Sequence, residues 1–84
     1  MEVSYRDGRP LAGYYYLPGN WDERSYRCHE MEAGLVVDFA RDGRAIGVEI
    51  TEPSLVSAAA MNRVLKKLGQ KAIRAAALAP FRAA

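Results

Sequence analysis

The sequence predicts an α+β domain, a four- to five-stranded antiparallel β meander packed against a C-terminal α-helix. Three observations carry that reading. Short segments with apolar residues at every second position fill roughly the first fifty residues. Asp42-Gly43 stands between two apolar segments whose side chains fall into register around it. From Leu55 onward the apolar spacing changes to three and four, the period of a helix with one buried stripe. The chain has 84 residues, enough for one core, so residues 1–84 are read as a single domain. The sheet is expected over about 2–51 and the helical region over about 54–79.

Val3 and Tyr5 alternate with Glu2, Ser4 and Arg6, a half-buried strand that ends in the turn chemistry of Asp7-Gly8-Arg9-Pro10. Gly13-Tyr14-Tyr15-Tyr16-Leu17 is an aromatic strand that stops at Pro18-Gly19-Asn20. Beyond the loop holding Trp21, residues 25–31 alternate again, with Tyr26 and Cys28 on one side and Arg27 and His29 on the other.

The most informative stretch is 35–50. A two-residue type I′ turn at Asp42-Gly43 sets Arg41 opposite Arg44 and pairs Phe39 with Ile46, Val37 with Val48 and Leu35 with Ile50. All six apolar side chains then share one face, and Val36, Asp38, Gly47 and Glu49 take the other. A three-residue loop with a bulge is the competing geometry, and it would spoil that match.

Thr51-Glu52-Pro53-Ser54 combines capping side chains with a proline suited to a helix start. The stripe Leu55, Ala58, Met61, Val64, Leu65, Leu68 follows, and Gly69 sits where a C-terminal cap belongs. A second helical stretch, Gln70 to Ala79, is alanine-rich and stopped by Pro80. The chain either breaks at Gly69 or passes through it as one kinked helix.

The segments Tyr5-Arg6-Asp7, Gly34-Leu35-Val36-Val37-Asp38-Phe39, Asp42-Gly43-Arg44 and Ile46-Gly47-Val48-Glu49-Ile50 together resemble the YuzE-like family of small bacterial proteins, a domain of unknown function. The likeness covers about the first two thirds of the chain, to around Ser54. It implies a bacterial source and a compact α+β fold, and it brings no catalytic residue with it. Some members of that family are encoded beside small toxin-like proteins, which implies an antitoxin-like or accessory role and a protein partner encoded nearby. The chain departs from the family in a longer loop over Pro18 to Glu23 and in the alanine-rich tail beyond Gly69.

Charge is divided along the chain. Residues 1–52 hold all ten acidic side chains and six basic ones, a formal charge of −4. Residues 53–84 hold six basic side chains and no acid, a charge of +6. Arg63, Lys66, Lys67, Lys71 and Arg74 are therefore the candidate polyanion-binding residues. On one continuous helix Arg63, Lys67, Lys71 and Arg74 form a stripe able to track phosphates. The plainer reading is that cations near a helix C-terminus complement its dipole or face an acidic neighbouring subunit. No aromatic residue is interleaved with them for base stacking and no nucleic-acid signature is present, so nucleic acid is the lesser expectation.

Tyr14, Tyr16 and Trp21 are the candidate interface residues. With Leu17 and Tyr15 facing the core, Tyr14 and Tyr16 emerge on the opposite face, where exposed aromatics serve as contact anchors. A homodimer is the simplest assembly.

Catalysis is not expected. His29 is the sole histidine, and adjacent strand residues point to opposite faces, so Cys28 and His29 do not meet as nucleophile and base. Asp38 and Glu49 share a face, but acids on an outer sheet face ordinarily serve solubility. One histidine and one cysteine do not supply a usual zinc set, and Gly43 and Gly47 lack phosphate-loop spacing, so no cofactor and no metal is expected. The lone thiol fits a reducing compartment, no apolar run approaches bilayer length, and the first residues lack signal-peptide layout. The expected protein is cytoplasmic, without a membrane partner.

Overall fold

The computed structural model of the chain describes residues 1–18 and 24–82. Among the described residues five strands form one antiparallel sheet: β1 (Glu2–Arg6), β2 (Arg9–Tyr16), β3 (Arg27–Glu32), β4 (Leu35–Phe39) and β5 (Ala45–Ile50). A 3₁₀ turn over Pro53–Leu55 leads to helix α1 (Ala58–Lys67), and a second 3₁₀ turn over Ala75–Leu78 runs into the single turn α2 (Ala79–Arg82). The fold is α+β, as the patterning predicts.

The strand order is β1-β2-β5-β4-β3, so the sheet is not the expected meander. Strands β3, β4 and β5 do follow one another, but β2 pairs with β5 rather than β3, through Gly13↔Ile50, Tyr14↔Glu49, Tyr15↔Val48 and Tyr16↔Gly47. That places β2 and β5 in the interior of the sheet and leaves β1 and β3 as its edges. The arrangement of β2 with β5-β4-β3 is a Greek key.

The register inside β4–β5 is as predicted, but the turn that leads into it is not. Leu35 faces Ile50, Val37 faces Val48, and Asp38 faces Gly47. Phe39, however, pairs with Ala45 rather than Ile46. The Ala40 N–H donates to the Arg44 carbonyl at 2.8 Å, so the loop has three residues, with Gly43 at φ +93°. A three-residue loop shifts the pairing by one, and the irregularity between Asp38 and Phe39 shifts it back. The type I′ geometry occurs instead at Asp7-Gly8, where both residues have positive φ and Arg6 pairs with Arg9.

The helical region also differs from the expected 54–79. Val56 and Ser57 are extended, and the Ser57 hydroxyl caps α1 by accepting from the Ala60 N–H at 3.1 Å. Leu55 accordingly falls outside the buried stripe at 54% exposure, and Val56 takes its place in the core. At the other end Gly69, at φ +70°, closes the helix. Its N–H reaches the Lys66 carbonyl and the Gln70 N–H reaches that of Leu65, the two bonds of a Schellman motif.

The chain therefore breaks at Gly69, and residues 70–74 form no helix where one was expected, with Arg74 extended. The Asn62 side chain holds this segment as a neighbouring strand would. Its Oδ1 accepts from the Ile73 N–H at 2.8 Å and its Nδ2 donates to the Ile73 carbonyl at 3.1 Å. Pro80 lies at the second position of α2 instead of ending a helix, a place where its missing N–H leaves no bond unmade. Phe81 then packs against Gly13, which has no side chain to obstruct the ring.

One core results. Leu17, Leu35, Val37, Val48 and Ile50 of the sheet meet Val56, Ala60, Met61, Val64 and Leu65, and Leu78 and Phe81 close it from the tail. Burying each such side chain contributes about 1.5–3 kcal/mol, which outweighs the weak propensity of a ten-residue helix to form alone. All of these groups lie on one face of the sheet, and both helices pack there.

Candidate functional site

The opposite, outer face is set by the period-two alternation of the strands. Cross-strand partners share a face, so Glu2 and Tyr14, Tyr14 and Glu49, Tyr16 and Gly47, Asp38 and Gly47, Val36 and Glu49, Cys28 and Asp38, and Glu30 and Val36 all stand on it. Tyr14 and Tyr16 therefore emerge on the expected face. Trp21 lies outside the described residues.

The two tyrosines are fixed side chains. Their rings meet edge to face with centroids 4.8 Å apart. Tyr14 lies across Gly47, at a point where any side chain would collide with its ring. Its hydroxyl donates to Asp38 Oδ2 at 2.9 Å, and Asp38 Oδ1 also accepts from the Ser25 hydroxyl at 3.1 Å. Burial, then the bond to the Asp38 carboxylate, pushes the Tyr14 phenol far above its ordinary range. Tyr16, 41% exposed, donates to Glu2 Oε1 at 2.6 Å, and that bond raises its phenol too. Four carboxylates, Glu2, Glu30, Asp38 and Glu49, thus share the outer face with Tyr14, Tyr16, Ala12, Val36 and Gly47. Asp38 serves as the acceptor for two hydroxyls.

Sequence patterning did not single out Glu2 and Asp38 as acceptors, Ser25 as a donor to Asp38, or the role of Gly47. The signal present was Gly47 itself, since a glycine inside an otherwise apolar strand marks close approach by another group.

The basic residues do not form the helical stripe. Arg63, Lys66 and Lys67 belong to α1, which ends at Lys67, while Lys71 and Arg74 sit on the segment beyond Gly69. Arg63 is engaged by Glu32 through two bonds, Nε at 2.7 Å and Nη2 at 2.8 Å. The hydrogen bonds from Arg63 hold the Glu32 carboxyl below its ordinary value, and Lys67 adds to the effect. Lys66, Lys67, Lys71 and Arg74 are exposed. Lys71 also lines an open groove of about 550 Å³ with Tyr15, Pro18, Gly69, Gln70 and Ala72.

Cys28 pairs with Asp38 and His29 with Val37, so the two side chains leave the sheet on opposite faces. Among the described residues no group of three or more His, Cys, Asp or Glu side chains is placed to hold a metal ion. No helix of the described residues is long and apolar enough to cross a membrane. Compared with known proteins, the chain matches no family model, no curated protein and no solved structure.

Proposed function

We propose that this chain is a bacterial, cytoplasmic interaction domain of YuzE-like character, an antitoxin-like accessory protein that self-associates and engages a protein partner. The observation that carries the reading is the outer sheet face, where Tyr14 and Tyr16 are held by hydrogen bonds to Asp38 and Glu2. Rings fixed before contact lose little conformational freedom on binding, which favours association. Tyrosine also joins a large apolar body to a polar tip, the combination enriched at protein interfaces. The reading includes no catalytic step.

Its test is the mass of the wild type in solution, by light scattering and sedimentation, against Tyr14→Ser combined with Tyr16→Ser. The wild type is expected to be at least dimeric and the double variant monomeric. A wild type that stays monomeric at every concentration sinks the reading.

A second reading, binding of nucleic acid or another polyanion, is favoured by the basic residues after position 52, where no acid is present. Lys66, Lys67, Lys71 and Arg74 would carry it, with Arg63 contributing less because Glu32 occupies it. Reversing charge at Lys67 and Lys71 abolishes heparin and nucleic-acid retention under this reading, and the wild-type retention falls steeply with salt.

A further inference from the structure

The two sides of the molecule carry opposite charge. Glu2, Glu30, Asp38 and Glu49 stand on the outer sheet face, while Lys66 and Lys67 of α1 and Lys71 and Arg74 of the segment after it belong to the layer that covers the other face. We propose that copies of this chain associate head to tail, the acidic tyrosine face of one copy receiving the basic helical side of the next. This rests on the self-association reading and specifies its geometry.

A twofold contact of outer face against outer face would set four carboxylates of one copy against the same four of the other, and opposed like charges penalise such a pairing. Docking the helical side instead brings ammonium and guanidinium groups to those carboxylates. It also brings them over the Tyr14 and Tyr16 rings, whose faces attract cations. The face and its complement lie on opposite sides of one chain, so the contact is heterologous. Each copy uses one face to donate and the other to accept, and the assembly grows as a ring or a chain.

The test compares sedimentation of three proteins at low and high salt, each checked for folding by circular dichroism. These are the wild type, an acid-face variant (Glu2→Gln with Glu49→Gln) and a basic-side variant (Lys66→Gln with Lys71→Gln). Glutamine at position 2 still accepts from Tyr16, so the aromatic pair keeps its support. Head-to-tail association requires each variant alone to bind itself about tenfold more weakly than the wild type, with wild-type association falling as salt rises. An equimolar mixture of the variants should recover a 1:1 pair that does not grow. If the acid-face variant associates more tightly while the basic-side variant is unchanged, the contact is twofold; the head-to-tail arrangement is then wrong, although self-association stands. A wild type monomeric at low salt overturns both.

Discussion

Tyr14 owes its position to an absence: the side chain that Gly47 lacks. A glycine inside a strand normally weakens it, since it loses more freedom on folding and packs nothing. Here the vacant space admits an aromatic ring and aims its hydroxyl at Asp38. Gly47→Ala therefore forces the ring off its seat. Overpacking of this kind costs about 1–3 kcal/mol, to be read by denaturant unfolding. The same variant should return one late-ionising tyrosine toward its ordinary value in an alkaline absorbance titration. Unchanged stability with an unchanged titration would show that the ring does not depend on this glycine.

At the scale of elements, the tail beyond Gly69 is a strap tied to α1 by one side chain. Asn62 offers Ile73 both a donor and an acceptor, so Asn62→Ala should remove about 1–3 kcal/mol of stability. Hydrogen exchange should show amide protection falling selectively around residues 73–81. Loss spread evenly over the chain would mean that the strap is held by Leu78 and Phe81 alone. Little in the residues foreshadows this segment, because alanine-rich stretches have high helix propensity and Asn62 interrupts no pattern. What was legible followed from local patterning: the Val37–Val48 and Leu35–Ile50 pairs, the outward Tyr14 and Tyr16, and Gly69 as the cap of α1, whereas the choice between a break and a kink there was open. The two Asp-Gly pairs were not distinguishable by composition. The first adopts the two-residue turn and the second a longer loop whose shift an irregularity in the strands cancels. The pairing of β2 with β5 left no local trace, since it depends on contacts remote in sequence. The basic stripe was conditional on one continuous helix, and it does not form because α1 ends at Lys67.

For the molecule as a whole, stability should form a plateau in pH with losses at both ends. Arg63 holds Glu32 below its unfolded value, so that contribution is present above the unfolded carboxylate range and is lost as pH falls through the folded value. Tyr14 and Tyr16 are shifted the other way, so theirs is present below the ordinary phenol value and lost as pH rises through the folded one. Thermal melts across pH should show both limbs, with Arg63→Gln flattening the acid limb and Tyr14→Phe the alkaline one. Limbs insensitive to these changes would place the titrating groups elsewhere.

The strand order also fixes a sequence of events. Because β2 finds its inner neighbour in β5, the N-terminal hairpin has no lasting place until the strand made last in the sheet has emerged from the ribosome. Until then Tyr15 and Leu17 have nothing to shelter them, and β2 presents a bare edge to any chain nearby. Distant pairings of this kind slow folding relative to a succession of neighbouring hairpins. The nascent form is thus more exposed to stray pairing than the finished sheet.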